Sequence, residues 1–228
     1  DLLLNIQEQL MQKLPASELI AHPSSSSFPG AVNVTASRLT RTIPIDGDFS
    51  GLPSSFGYAG ARSHGRMSTG LYAAPGDVIN VTFPVEIVDQ DVYVLVGAHT
   101  DNLWGKSTLD RHPRIHRWWY VDNVSMQVGN AFGGPIYVAI AAGSSLGPFN
   151  VTIENAVEMP WYQHGITNLS DWQTTLRYAP APMAELSSDF FILTVPSSYI
   201  RNLDDPDLAM DFWDAALQME HNLSGYTP

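Results

Sequence analysis

Between residues 31 and 157 the sequence is a series of short β-branched and aromatic runs separated by turn residues, with no helical segment between them. In the run from Val92 to Val96, every second residue is valine, which places the three valines on one face of a strand. Turn pairs such as Pro75-Gly76 lie between the runs. Strands at this spacing without intervening helices predict a mainly β fold, either a β-sandwich or a jelly roll.

A short amphipathic helix is predicted at the N-terminus. Apolar residues recur at helical spacing within residues 1–20, and Pro15 ends the pattern. The predicted apolar stripe consists of Leu3, Ile6, Leu10 and Leu14. A Ser- and Pro-rich stretch, HPSSSSFPG, begins next. Residues 1–27 are therefore predicted to form a helix and a linker.

The texture of the sequence changes after Pro160. The segment DFFILTVPSSYI is predicted to be one buried strand, because FFILTV (residues 190–195) is apolar on both faces. A helix is predicted after Pro206, with Asp205 as its N-cap. Its apolar stripe would contain Leu208, Phe212, Ala215 and Met219, with further apolar residues beside it. A strand followed by a helix indicates the opening of a second, α/β domain, and we expect an exposed apolar patch on this helix.

Charge and composition exclude several classes of protein. The formal net charge of -12 argues against nucleic acid as a partner, because phosphates require a basic surface. The chain has no cysteine, which excludes disulfides, a thiolate nucleophile and cysteine-ligated zinc. The longest apolar run, Ile136 to Ala142, is too short to span a bilayer.

N-glycosylation sequons are more frequent than chance predicts. Six of the eleven asparagines precede x-Ser/Thr, whereas about one or two such matches are expected by chance. This excess predicts a secreted, glycosylated protein; the alternative is a Ser/Thr-rich β protein in which sequons arise by accident. The six are Asn33, Asn80, Asn123, Asn150, Asn168 and Asn222.

No catalytic motif or metal site is predicted in this chain. His112 and His116 cannot share a helix face because Pro113 lies between them. On a strand they would lie about 13 Å apart, too far for one zinc ion with ligands at about 2 Å. H-E-x-x-H is absent, and the acids of NLDDPDL fit helix capping better than a calcium loop.

Two stretches are candidates for ligand binding. GAHTDNLW follows a predicted strand, where His99 and Asp101 could bind a ligand; the alternative is an Asx-type turn with a packed Trp104. In RIHRWWY, Arg117 could meet an acidic sugar and Trp119 could stack on a sugar ring, and the alternative is cross-strand packing of buried aromatics.

A set of motifs in a fixed order resembles one known family. STGLYAAPGDVINVTFP, VLVGAHTDNLW, HPRIHRWW, NAFGGPIYVAI and RYAPAPMAELSSDFFILTVPS are similar to segments of the enhancin-like, mucin-degrading zinc metallopeptidases. The resemblance spans about residues 28–223. It implies a jelly-roll-like β domain over 28–158, followed by the start of an α/β zincin-like domain over 159–228. The chain is expected to end before the H-E-x-x-H helix of that domain.

The resemblance leaves two hypotheses for function. In the first, the chain is the N-terminal recognition part of a secreted metallopeptidase that acts on glycoproteins such as mucins, without catalysis of its own. In the second, the same β domain is a non-enzymatic extracellular module that binds glycoprotein or glycan or has a structural role. The implied partners are a glycoprotein or glycan and either the remaining C-terminal part of the parent or another chain. Zinc is expected only in a catalytically intact parent.

Overall fold

The computed structural model describes residues 2–51 and 64–225, which form two compact units, Asp1–Glu158 and Met159–Pro228. The first unit contains α1 (Leu2–Lys13), β1 (Leu39–Phe49), β2 (Gly65–Ala73), β3 (Ile79–Thr82), β4 (Val92–Val96), β5 (Arg117–Tyr120), β6 (Ser125–Val128), β7 (Gly134–Ile140) and β8 (Ser144–Glu158). The second contains β9 (Trp161–Gln163), α2 (Leu169–Thr174), β10 (Met183–Ser187), β11 (Ile192–Pro196) and α3 (Asp207–Ser224). Short 3-10 turns cover Ala16–Glu18, Pro23–Ser26, Val85–Ile87, Leu176–Tyr178 and Ser197–Tyr199.

The first unit is built on one eight-stranded antiparallel sheet that folds back on itself. The strand order is β5-β4-β7-β2-β8-β3-β6, and β1 also pairs with β8. The long strand β8 therefore pairs with β2 from one half of the sheet and with β1 and β3 from the other. Val94 and Val138 from the first half share one buried cluster with Val81 and Ile153 from the second. The core thus lies between the two halves, and the predicted mainly β class is confirmed.

The N-terminal helix is present, but the prediction of its buried face is wrong. Leu3, Ile6 and Leu10 are exposed, whereas Glu8 and Met11 are buried. Met11 packs in an apolar cluster of the first unit, and the Glu8 carboxylate has hydrogen-bonding partners there. Tertiary contacts have therefore overridden the amphipathic pattern.

The second unit has a three-stranded sheet with the order β11-β10-β9, in which β9 and β10 are parallel. The prediction that FFILTV is a buried strand is wrong. Strand β11 begins only at Ile192, and Phe190 and Ile192 are exposed. The physical reason is that β11 is an edge strand among the described residues, because it pairs with β10 alone.

Helix α3 begins where the sequence predicts, but its buried face differs from the prediction. The N-cap is Pro206, one residue later than the predicted Asp205, whose carboxylate accepts a hydrogen bond from the backbone N–H of Asp207 at 3.1 Å. Met210 is buried, whereas Leu208 and Phe212 are exposed. The expected exposed apolar residues are therefore present, but they include the stripe that was predicted to pack.

Candidate functional site

The loop of residues 97–116 joins β4 to β5 and carries most of the predicted ligand-binding residues. At the start of the loop, the backbone of Gly97 lies directly against Gly134. Gly97 has φ +111°, and a Cβ on Gly134 would lie 2.4 Å from the Gly97 Cα. Only two glycines allow the end of β4 and the start of β7 to approach so closely.

Asn130 fixes the base of this loop from inside the unit. Its buried side-chain amide lies within hydrogen-bonding distance of the carbonyl oxygens of Val96 (3.1 Å), Ile115 (2.8 Å) and Gly133 (3.0 Å). Two of these carbonyls flank the loop in the sequence. One buried amide thereby ties the two ends of the loop to the turn before β7.

Charged side chains crosslink the two arms of the loop. One guanidinium nitrogen of Arg111, Nη2, donates to both oxygens of the Asp101 carboxylate, at 2.7 and 2.6 Å. Arg66 on β2 donates to the hydroxyl of Thr100 at 2.6 Å. The Nδ1 atom of His116 lies 3.0 Å from the backbone carbonyl oxygen of His99. The loop is therefore held by specific bonds along its length.

Trp104 is anchored at both its backbone and its side chain. Its backbone N–H donates to the Asn102 side chain at 3.0 Å, which is the Asx-type turn predicted as the alternative to ligand binding. Its indole Nε1–H donates to the buried Glu8 carboxylate at 2.6 Å, and Glu8 also pairs with Arg114 at 3.5 Å. Helix α1 thus positions this part of the loop.

An open depression of about 620 Å³ lies on the surface of the loop. It combines the Arg111–Asp101 pair, two hydroxyl side chains, a lysine, a second aspartate and apolar groups. The lining residues are Phe28, Asp101, Leu103, Lys106, Ser107, Thr108, Asp110 and Arg111. Many polar groups beside one aromatic ring suit the binding of a polar ligand.

Arg117 and Trp119 lie away from this depression. Arg117 is buried and donates to the carbonyl oxygens of Met11 (2.9 Å) and Leu14 (2.7 Å), near the C-terminal end of α1. Its guanidinium carbon lies 3.6 Å from the centroid of the Trp119 ring, whose Nε1–H donates to Gly129. The sequence interpretation of Arg117 as a contact for an acidic sugar is therefore wrong, because its N–H groups donate to the interior of the unit. The alternative, packing within the unit, describes both Arg117 and Trp119 better.

Two histidines of the loop, His99 and His116, are predominantly uncharged at neutral pH. Burial, followed by the nearby Arg111 guanidinium, lowers the pKa of His99, and Asp101 opposes this shift. Burial also lowers the pKa of His116. Burial lowers the pKa of Arg117 to about 10, so this side chain remains charged at neutral pH.

The described residues form neither a metal cluster nor a membrane-spanning helix. Residues 2–51 and 64–225 contain no group of three or more His, Asp or Glu side chains placed to hold a metal ion. His112 and His116 are both buried, and each has its Nδ1 close to a backbone carbonyl oxygen, that of Arg114 or His99. No helix in the described part of the chain is long and apolar enough to cross a membrane.

The sequon asparagines lie mostly at the surface. Asn80, on β3, is half-buried, and the other five are exposed. Asn168 also caps α2, because its side-chain oxygen accepts from the backbone N–H groups of Ser170 and Asp171. The exposed five are Asn33, Asn123, Asn150, Asn168 and Asn222. Occupancy by glycan stays a prediction.

Sequence reasoning missed four residues that build the site: Glu8, Phe28, Arg111 and Asn130. Glu8 lies 96 positions from Trp104 in the chain, and no local pattern connects them. The sequence marks Glu8 only as an acidic residue within a mostly apolar helix. It marks Asn130 only as a polar residue between glycine and apolar residues in GNAFGG.

Comparison with known families gives the relationship. Residues 34–154 match the N-terminal domain of M60-like peptidases, and residues 155–228 match peptidase M60, enhancin and enhancin-like. The chain belongs to the M60-like peptidase family. The enhancin-like resemblance noted in the sequence is thereby confirmed.

The similar curated relatives of this M60-like chain are much longer proteins. A TRPM8 channel-associated factor homolog from Danio rerio is 37% identical over 162 residues, which cover 71% of this chain and 18% of the relative. The chain therefore spans less than a fifth of the length of that relative.

Solved structures support the M60-like fold. The IMPa metallopeptidase from Pseudomonas aeruginosa matches with a TM-score of 0.57 and 16% identity, over 91% of this chain and 26% of that one. The M60 catalytic domain of Clostridium perfringens ZmpC was solved in complex with the sialyl T antigen. It matches with a TM-score of 0.59 and 16% identity, over 80% of this chain and 40% of that one. At this identity the likeness concerns the fold alone.

Proposed function

We propose that the chain is the N-terminal recognition part of an M60-like protein that acts on glycoproteins such as mucins. The observation that carries this proposal is the depression on the 97–116 loop. Both members of the Arg111–Asp101 pair line it, together with the side chain of Phe28. Sugars present many hydroxyl groups and apolar C–H faces, which match planar charged groups and an aromatic ring.

The family supports a glycoprotein ligand. The Clostridium perfringens M60 domain was solved with the sialyl T antigen, a glycan, bound to that protein. A related fold thus serves glycan recognition, and we extend the class of ligand to this chain as part of the proposal.

The chain itself supplies binding rather than catalysis in this proposal. Its sequence contains no H-E-x-x-H. Its one G-x-S-x-G match, GSSLG at 143–147, lies where β7 leads into β8, not between a strand and a helix as a nucleophile elbow requires. Hydrolysis and any catalytic zinc would reside in other parts of a catalytically intact parent. Secretion and glycosylation of the six sequons belong to the same proposal, and intact mass before and after N-glycosidase treatment tests them.

Titration calorimetry with the folded 228-residue chain tests the binding proposal. The probes are a mucin-type O-glycopeptide and the same peptide without its glycan. We expect the glycopeptide alone to bind, and Arg111→Met to weaken its affinity by about tenfold, because loss of one charge-assisted bond costs about 1.4 kcal/mol or more. The matched control is Arg41→Met, because Arg41 also pairs with a carboxylate, that of Glu158, at 3.7 Å, but does not line the depression.

Absence of glycopeptide binding by the folded wild-type chain would contradict the proposal. Equal weakening by Arg111→Met and Arg41→Met would instead show that the depression is not the site.

A second candidate function is favoured by the curated relatives. The Danio rerio relative is named a TRPM8 channel-associated factor homolog, and its identity of 37% exceeds the 16% of the metallopeptidase structures. In this alternative the chain is part of a non-enzymatic protein that associates with a membrane channel. Binding of the chain to purified TRPM8, together with no response to the glycopeptide, would favour it over the first proposal.

A further inference from the structure

The first thirty residues pack on an apolar cluster that is separate from the main core. Met11 lies with Ile115, Ala131 and Phe132, and Phe28 packs against them. None of these residues belongs to the cluster between the two halves of the sheet. We call residues 2–30 the N-terminal strap. The apolar cluster of the strap is therefore distinct from the one between the two halves of the sheet.

Polar contacts tie the strap to the rest of the first unit at several points. They include the bonds of Arg117 to the end of α1 and the bond of Trp104 to Glu8. Two further hydrogen bonds end on backbone carbonyl oxygens. The side-chain amide of Gln12 donates to the carbonyl oxygen of His116 at 2.9 Å, and the backbone N–H of His22 donates to that of Ala131 at 2.8 Å.

A pair of histidines lies between the strap and the loop. The ring centroids of His22, on the strap, and His112, on the loop, are 5.5 Å apart. The Phe132 ring lies against both, at 4.6 Å from His22 and 5.3 Å from His112. The Nε2 atoms of both histidines are buried and have no hydrogen-bonding partner among the described residues.

The contacts of the two Nδ1 atoms constrain the protonation of the rings. The Nδ1 of His22 accepts from the backbone N–H of Ser24 at 3.2 Å and lies 2.9 Å from the Ser24 hydroxyl, which fits a neutral ring with its proton on Nε2. The Nδ1 of His112 lies 2.9 Å from the carbonyl oxygen of Arg114 and 3.4 Å from the backbone nitrogen of the same residue. A second proton on His22 would displace the bond from the Ser24 N–H and place a charge against the Phe132 ring and the buried His112, while its Nε2–H still lacks an acceptor among the described residues.

We propose that the N-terminal strap is an acid-sensitive element, docked while His22 is neutral against His112 and Phe132 and detached when His22 gains a proton in mildly acidic solution.

The direction of the pH effect follows from His22. Burial, and then the nearby His112, lowers the pKa of His22 from its ordinary value of 6.5. The detached state therefore takes up protons at a higher pH than the docked state does. Docking is most favourable above pH 6.5 and weakens as the pH falls below it.

The other charged groups around the pair act in the same direction or have little effect on it. Glu8 on α1 pairs with Arg114 of the loop at 3.5 Å. The lowered pKa of His99, whose ring packs on Phe28 of the strap, also favours detachment in acid. Arg111 and Asp101 neutralise each other beside it. Glu18 lies on the strap itself, beside His22 in a shallow apolar groove.

Detachment would also dismantle the candidate site, a consequence that rests on the proposed function. Phe28 belongs to the strap and lines the depression, and Glu8 holds the Trp104 indole. A ligand bound at neutral pH would therefore be released in acid.

The absence of cysteine allows a direct test by paired spin labels. Labels on Gln9→Cys in α1 and Asn123→Cys beyond β5 lie at exposed positions of the first unit. Pulsed electron paramagnetic resonance then measures the distance between them at about pH 7.5 and about pH 5. We expect one narrow distance at the higher pH and a longer, broader distribution at the lower pH.

The decisive variant is His22→Asn combined with His112→Asn. An asparagine amide can accept from Ser24 at the first position and donate to Arg114 at the second, but it does not titrate. We expect this variant to stay docked at the lower pH, with the ratio of docked to detached protein raised about tenfold for each unit of pKa shift removed. His64→Asn, in the same unit but outside the strap contacts, should detach like the wild type. If the double variant does not fold, the same distance measurement is made on His22→Asn alone, which we also expect to stay docked at the lower pH.

A wild-type strap that stays docked at the lower pH, or a double variant that detaches like the wild type, would overturn the proposal. The distances are measured without ligand, so failure of glycopeptide binding leaves this test intact.

Discussion

The two longer helices, α1 in the first unit and α3 in the second, depart from the sequence prediction in the same way. Each has an obvious apolar stripe, and in each that stripe is largely exposed: Leu3 at 68% in α1, and Leu208 at 72% and Phe212 at 65% in α3. The buried apolar contact of each helix is instead one methionine, Met11 or Met210. A strong stripe therefore identified a helix without identifying the face that packs within its own unit.

Polar bonds hold the packed face of both helices. In α1, Glu8 and the C-terminal carbonyl groups have partners on the loop and on β5. In α3, the Tyr162 hydroxyl donates to Asp207, and Ser188 donates to Asp214 at 2.6 Å. Nitrogen atoms of His164 lie 3.1 Å from carboxylates of Asp211 and Asp214. These hydrogen bonds and ion pairs join residues that are distant in the chain. The periodicity of a helical sequence carries no information about such partners.

The units differ in how completely they bury apolar surface. In the first, Val94 and Ile153 are fully buried between the two halves of the sheet. In the second, the core is smaller, and an edge strand and one helix present apolar side chains to solvent. The second unit therefore leaves apolar surface exposed, whereas the sheet of the first unit supplies its own second layer.

The largest expected effect comes from the small core of the second unit. Trp172 is fully buried, and its indole N–H donates to the Leu203 carbonyl oxygen at 2.8 Å. Trp172→Ala should lower the free energy of unfolding by about 3–5 kcal/mol. Hydrogen exchange resolved by peptide should show the loss in the second unit. An equal loss of protection in β4 and β7 would show that the two units unfold together.

The glycine contact that shapes the loop should give the next largest effect. Gly134→Ala should lower the free energy of unfolding by about 2–4 kcal/mol, because the added methyl group overlaps the Gly97 backbone at a positive φ. Gly143→Ala is the matched control, since Gly143 also has a positive φ (+87°) but has open space around its Cβ. Urea denaturation compares the two variants. If both variants lost the same free energy of unfolding, backbone strain alone would explain the loss in Gly134→Ala, and the close contact with Gly97 would contribute nothing.

The smallest effect is expected on the exposed stripe of α3. Phe212→Gln with Met219→Gln should change the free energy of unfolding by less than about 0.5 kcal/mol per site and should reduce the binding of a hydrophobic dye. Met210→Gln, on the buried face, serves as the control and should destabilise the unit. Unchanged dye binding in the double variant would contradict the view that this stripe is an exposed apolar surface.

The sequence by itself determined the elements that depend on local patterns. Alternating valines and turn pairs predicted the mainly β unit, Pro15 and Asp205 marked helix ends, and ordered motifs indicated the family. These signals are local because backbone geometry fixes side-chain periodicity and turn residues within a few positions.

Only the tertiary structure decided which surfaces meet. It paired Glu8 with Trp104, turned Arg117 inward to the end of α1, and brought His22 beside His112. It also left the apolar stripes of α1 and α3 exposed. The physical reason is that burial and hydrogen bonding are properties of the assembled chain, so a residue's partners at a separation of about a hundred positions leave no periodic trace in its own segment.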